Sequence, residues 1–217
     1  MLRVVVALLV VAPIVVAAPP PKESSKKASL YFPTTVGDKR VYEAKGFSGT
    51  TETTEEVTKV EATDGVYRVT VEKKTAGKPS ATVVVYAVSD KGLSFIREKD
   101  GEPPVAQPRL KLPAKVGDSW DGEPDPTKKR LVGPKAPVWA YTVGQEEEVE
   151  VPAGKFKAIP VVLTRSSNPP LSSSAWYAPG VGVVKTTFKA ASIEGTTVLK
   201  SFTPGTGEKT DESKKEK

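Results

Sequence analysis

The chain has 217 residues, with 32 Lys and Arg against 26 Asp and Glu, and it contains neither His nor Cys. Those two absences exclude a Ser-His-Asp triad, a thiol nucleophile, a zinc finger and a His-ligated haem. No Gly-rich phosphate loop or recognition-helix pattern occurs, so neither a nucleotide cofactor nor nucleic acid is an expected partner.

In chain order, Arg3 precedes an apolar run over residues 4–16, interrupted once by Pro13. Ala17 and Ala18 follow, then Pro19-Pro20-Pro21. This is the layout of a cleavable secretory signal cut after Ala17, with Val15 three residues before the cut. The run is shorter than the roughly 20 residues of a membrane span, and no Cys follows it to carry a lipid. The expectation is a signal peptide over 1–17, a periplasmic or secreted location and no transmembrane segment after cleavage. Residues 18–29 (APPPKESSKKAS) form a disordered Pro/Ser/Lys linker that cannot bury apolar surface. Residues 204–217 hold no hydrophobic side chain and are expected to be a disordered charged tail. Between them, residues 30–203 form a single β-rich domain with a small positive net charge of mixed sign. The densest basic cluster, Lys128-Lys129-Arg130, sits among acidic and Pro residues and is expected to be an exposed loop or strand end.

Within that domain the period is two. Tyr67, Val69 and Val71 alternate with Arg68, Thr70 and Glu72, and Val149 and Val151 alternate with Glu148 and Glu150. Residues 80–89 are apolar on both faces, which predicts a central strand covered on both sides. Asp64-Gly65, Lys91-Gly92, Asp100-Gly101, Ala153-Gly154 and Glu194-Gly195 punctuate the runs as turns. The pattern predicts about a dozen short strands and no amphipathic helix. The fold class is therefore all-β and mainly antiparallel, as a strongly curved sheet or incomplete barrel.

An internal echo stands out. Phe32-Pro33-Thr34-Thr35-Val36-Gly37-Asp38 matches Leu112-Pro113-Ala114-Lys115-Val116-Gly117-Asp118 in the pattern apolar-Pro-x-x-Val-Gly-Asp. Two meanders with similar opening turns would produce it, and so would two unrelated Gly-Asp turns.

Residues 149–158 (VEVPAGKFKA) read as strand, tight turn and return strand, and residues 176–185 (WYAPGVGVVK) as strand, Pro-Gly corner and strand. With Tyr31-Phe32-Pro33 and Val36-Gly37-Asp38, these segments resemble in order a secreted bacterial family known as domain of unknown function 3108, some members of which are called TapB. The resemblance spans Tyr31 to Lys185. It implies a curved antiparallel sheet similar to the lipoprotein carriers of the LolA and LolB type, with an apolar concave face and no catalytic residues. The family usually carries an aromatic residue three positions after the Gly of the first motif. Here Gly117 is followed at that offset by Trp120 but Gly37 by Arg40, which leaves the packing of the first turn open, with Tyr42 as a substitute.

Four aromatic residues on predicted strands, Trp120, Trp139, Trp176 and Tyr177, are the candidate ligand-binding residues, as walls for an acyl chain or as ordinary core. Trp176 and Tyr177 are adjacent, so at most one of them faces a given side. Asp121, Glu123 and Asp125 are spaced like hard oxygen ligands, but Pro124 and Pro126 restrict wrapping, and no metal site is expected. Glu146, Glu147, Glu148 and Glu150 lie along one strand and cannot face each other across a cleft as glycosidase carboxylates do. Ser172-Ser173-Ser174 follow a loop that could rim a concave face, with no lysine placed beside them as a base.

The reading is a non-enzymatic exported binding module of the bacterial envelope, holding a lipid or other apolar small molecule on a concave face. The alternative is a structural or protein-interaction domain of the envelope with an envelope protein as partner, and the remote alternative a hydrolase using neither His nor Cys. A deep apolar cavity would favour the first, and a filled interior with exposed apolar residues the second.

Overall fold

A computed structural model describes residues 30–46, 49–99, 101–122, 139–166 and 170–207. The signal segment, the Lys128-Lys129-Arg130 cluster and most of the acidic 121–125 loop lie outside these residues. The described residues form thirteen strands and no helix: β1 (Lys39–Gly46), β2 (Gly49–Thr63), β3 (Val66–Thr75), β4 (Thr82–Ser89), β5 (Gly92–Lys99), β6 (Glu102–Lys111), β7 (Ser119–Gly122), β8 (Trp139–Val143), β9 (Glu147–Val151), β10 (Gly154–Arg165), β11 (Leu171–Ala178), β12 (Gly182–Ala190) and β13 (Ile193–Thr203). None of the described residues forms a helix long and apolar enough to cross a membrane.

Twelve strands pair antiparallel in the order β6-β5-β4-β3-β2-β1-β13-β12-β11-β10-β8-β7, and β9 pairs only with β10. The order divides into two meanders of six, β1 to β6 and β7 to β13 without β9, joined where β1 pairs with β13. The sheet curls until its two end strands meet: Trp120 Nε1 on β7 donates to the Pro108 carbonyl on β6 at 3.4 Å. The fold is thus all-β, antiparallel and nearly closed. β6 tolerates prolines as an end strand, and the adjacent Pro103 and Pro104 fall where the register with β5 shifts between Arg97 and Lys99.

The inner face holds the main core. Val57, Val69, Val71, Val88, Leu93 and Leu110 of the first meander meet Trp120, Tyr141, Val143, Ile159, Val161 and Tyr177 of the second. Phe32, from the segment before β1, joins this cluster. Tyr67, Val69 and Val71 all pack here, as their alternation implies. Full burial of each such side chain stabilises the fold by about 1.5–3 kcal/mol.

A second core lies on the other face. Tyr177 and Val183 belong to the first cluster, while their neighbours Trp176, Ala178 and Val184 belong to the second with Val149, Val151 and Leu199. The hairpin of β9 and the first half of β10 lies against β12 and β13, and the Ala153 N–H at its tip donates to the Leu199 carbonyl at 3.2 Å. Gly144 breaks the chain between β8 and β9 because the Pro160 ring crosses it, leaving only 2.8 Å to a would-be Cβ.

Two sequence expectations need correction. β4 is internal to the sheet, and Val84, Tyr86 and Val88 face the core; on its other face Val85 is buried but Val83 is 63% exposed, so that face is covered only in part. Among the described residues the hairpin that packs on the outer face sits on β12 and β13, away from Val83. Glu194-Gly195 is not a turn: it lies within β13, opposite Lys189 and Phe188, and the reversal occurs at residues 191–192, with Ala191 at φ +52°. Gly195 is small because the Lys45 carbonyl of β1 lies 3.4 Å from where a Cβ would stand.

The echoed motifs fold alike. In the first, the Gly37 N–H donates to the Val57 carbonyl (2.8 Å), the Val57 N–H to the Asp38 carbonyl (2.9 Å) and the Thr35 N–H to Asp38 Oδ2 (2.8 Å). In the second, the Gly117 N–H donates to the Val143 carbonyl (2.9 Å), the Val143 N–H to the Asp118 carbonyl (2.9 Å) and the Lys115 N–H to Asp118 Oδ2 (2.9 Å). Gly37 and Gly117 take φ of +88° and +87°, a conformation that suits glycine. Each turn opens one six-stranded meander.

At position 40 an arginine replaces the expected aromatic. Arg40 is 2% exposed, lies 4.3 Å from the Phe32 ring centroid and 5.9 Å from that of Tyr42, and pairs with Glu55 at 2.9 Å. Its Nη1 donates to the Val181 carbonyl at 3.3 Å. Tyr42 does not substitute for it: the arginine itself fills the place, and the Tyr42 hydroxyl donates to the Val183 carbonyl at 2.8 Å.

Candidate functional site at the seam of the sheet

Along β8 the alternation puts Trp139, Tyr141 and Val143 on the inner face and leaves Thr142 exposed. β7 pairs beside it, Trp120 opposite Tyr141 and Gly122 opposite Trp139. The Trp120 and Tyr141 rings stack with centroids 5.3 Å apart and planes 12° apart, a contact worth about 0.5–1.5 kcal/mol beyond burial. Gly122 is required here: a Cβ would stand 2.8 Å from Trp139 Cβ and 3.1 Å from the Tyr141 ring.

Basic side chains surround this aromatic strip. Arg109 of β6 donates to the Tyr141 hydroxyl across the seam and also to Gln107 Oε1 (3.3 Å), and it lies 5.5 Å from the Phe95 ring centroid. Arg165, the partner of Trp139 across β8 and β10, lies 5.0 Å from that indole. Lys111 Nζ is 5.3 Å from the Trp120 ring. Among the described residues neither Arg109 nor Arg165 meets a carboxylate, and Arg165 Nε is buried without a hydrogen-bond partner. An unpaired buried donor on a charged group costs on the order of 1–3 kcal/mol or more. The inner-face Glu55 is already engaged, by Arg40 and by Lys73 at 3.3 Å. Burial pushes the Tyr177 and Tyr86 hydroxyls above the ordinary tyrosine value, and the nearby Arg109 cation partly opposes this in both.

A recess of about 400 Å³ opens at the end of this strip. Thr164, Arg165, Leu171, Ser172, Lys189 and Ala191 line it, and most of its lining is apolar. Phe188 and Ile193, on the neighbouring ends of β12 and β13, are 39% and 52% exposed. A second open recess, about 460 Å³, lies between the β2–β3 and β4–β5 turns, near Asp64, Val66 and Asp90. Among the described residues no three His, Cys, Asp or Glu side chains are grouped to hold a metal ion.

Of the four candidate residues, Trp120 packs in the main core against Tyr141, while Trp139 shares that face one register step on, opposite Gly122 and outside the core cluster. Tyr177 lies in the same cluster, on β11. Trp176 faces the other way, donating from Nε1 to Glu147 beneath the β9–β10 hairpin, with Lys185 5.0 Å from its ring. Sequence reasoning missed Tyr141, Arg109 and Arg165. Tyr141 and Arg165 carried a signal, since Tyr141 is two residues from Trp139, and Arg165 continues the inner-face series Ile159, Val161 and Leu163. Arg109 carried none, because the prolines around it hid a strand.

No protein-family model matches the chain, and no curated protein sequence matches it. Solved structures do. A candidate lipoprotein from Parabacteroides distasonis is 16% identical, with a TM-score of 0.55 over 82% of this chain and 100% of that one. A candidate exported protein with a YmcC-like fold from Bacteroides fragilis is 15% identical, with a TM-score of 0.53 over 81% of this chain and 99% of that one. At these identities the likeness establishes a shared fold.

Proposed function

We propose that the chain is a non-enzymatic, exported binding module of the bacterial envelope that takes an amphipathic anion, an acyl chain ending in a carboxylate or phosphate, at the seam of the sheet. The observation that carries this reading is Arg165. Its guanidinium has its carbon 5.0 Å from the Trp139 ring centroid, meets no carboxylate among the described residues and lines an open recess of about 400 Å³ with a mainly apolar wall. Recesses of roughly 300–1,000 Å³ with an apolar lining and a few polar groups are the usual form of small-molecule sites. The anion would neutralise the Arg165 cation at the wall of the recess, while the chain lies against Leu171 and Ala191. The signal layout, the resemblance to the secreted family and the description of both structural neighbours as candidate lipoprotein or exported protein support the envelope location.

Native mass spectrometry of the chain from Ala18 onward, beside an organic extract analysed for lipid, tests this reading. A bound acidic species of several hundred daltons that is lost on extraction is expected. An apo mass unchanged after incubation with envelope lipids would contradict it. That result would favour the alternative of a protein-interaction domain, for which the filled inner face and the exposed Val66, Val83 and Val116 speak.

A further inference from the structure

The two Val-Gly-Asp turns share their internal hydrogen bonds but differ in what covers them. On the first, the chain leaving β13 folds back: the Gly205 N–H donates to Asp38 Oδ1 at 2.8 Å and the Gly207 N–H to the Val36 carbonyl at 3.1 Å. The fit needs glycine, since a Cβ on Gly205 would stand 2.2 Å from the Val36 oxygen and 2.4 Å from the Asp38 nitrogen. Under this clasp Asp38 is buried.

Among the described residues nothing clasps the second turn. Its counterpart of β13 is β6, the last strand of the other meander, and the chain leaving β6 runs directly into the turn itself, so it cannot fold back over it. Asp118 is exposed, Val116 is 69% exposed, and no described residue lies within 4 Å of where a Gly117 Cβ would stand. Among the described residues Asp118 Oδ1 and the Val116 carbonyl, the equivalents of the two clasped acceptors, have no partner.

We propose that the Val116-Gly117-Asp118 turn is a docking site for an extended Gly-x-Gly segment of a partner protein. Such a segment would donate its two glycine N–H groups to Asp118 Oδ1 and the Val116 carbonyl, as Gly205 and Gly207 do on the first turn. Recognition by backbone hydrogen bonds, with specificity from close approach, is a general mode of peptide capture. The segment comes from a different protein because the chain's own Gly205 and Gly207 are engaged on the first turn. This inference rests on the repeat and is independent of the anion site.

The test is a titration of the ¹⁵N-labelled chain with a synthetic hexapeptide of the sequence Thr203–Glu208, beside the same peptide carrying Gly205→Val. The glycine peptide is expected to shift the amides of residues 115–118 and the Trp120 indole, saturating weakly, at about 1–10 mM. The valine peptide is expected to bind at least about tenfold more weakly. Equal responses to both peptides, shifts at residues 35–38 instead, or no shift up to about 10 mM would overturn the proposal. So would self-association of the chain alone with shifts at 115–118, which would assign the turn to a second copy.

Discussion

Arg40 on β1 and Trp120 on β7 hold the same place in the two halves of the sheet. Each stands two residues after the Asp of its turn, and each pairs across its hairpin with the residue two before the valine that binds that turn. Arg40 meets Glu55 there, and Trp120 meets Tyr141. One register position thus carries a buried ion pair in one half and a stacked aromatic pair in the other. The backbone frame of the turn is the same in both, so the frame does not depend on which pair fills it.

The ion pair is expected to matter most when half of it is removed. Glu55→Gln leaves the Arg40 cation buried with only neutral partners and should cost about 3–5 kcal/mol in urea unfolding. The double variant Arg40→Met, Glu55→Gln should recover most of that loss, because the uncompensated charge is gone. If the double variant is as unstable as the single one, the arginine acts mainly through packing.

Gly182 offers a test of how Arg40 is accommodated. Its φ is +88°, and a Cβ there would stand 2.7 Å from Arg40 Nη1 and 3.2 Å from the Phe32 ring. Gly180, at φ +72°, has open space around the same position. Alanine at either site carries backbone strain of about 1–2 kcal/mol. Gly182→Ala should therefore melt clearly below Gly180→Ala, and equal melting temperatures would contradict the observed packing.

Alkaline pH should destabilise the fold steeply. Burial raises the Tyr42, Tyr86 and Tyr177 hydroxyls above the unfolded value of about 10. The folded chain then retains protons that the unfolded chain releases, so stability is full below about pH 10 and falls as the pH rises further. Tyr42 and Tyr177, the two most strongly raised, each contribute a slope of up to about 1.4 kcal/mol per pH unit above that point. Urea midpoints between about pH 9 and 11.5 measure it, and Tyr177→Phe should flatten the slope by one tyrosine's share.

Much of this fold is legible in the sequence because period-two alternation reports directly on a half-buried strand. Tyr67, Val69 and Val71 show it, as do Val149 and Val151, and adjacency alone separates Trp176 from Tyr177. What alternation does not report is which face another element covers, so the outer face of β4 is covered at Val85 but open at Val83. Local turn signals failed at Glu194-Gly195, where glycine serves a close approach between strands. The site was legible only in part. Its tryptophans stand out by residue type, but the seam that joins Arg109 to Tyr141 arises from closure of the sheet, across 32 positions of sequence.

The anion site is tested most directly by tryptophan fluorescence during titration with a medium-chain carboxylate and with the alcohol of the same chain length. The account predicts a saturable change with the carboxylate and binding at least about tenfold weaker for the alcohol, the value of one charge-assisted hydrogen bond. Arg165→Gln should abolish that difference while leaving the alcohol's response in place. Equal affinity for the two amphiphiles, or a carboxylate preference that survives Arg165→Gln, would contradict the assignment of Arg165 as the anion's partner.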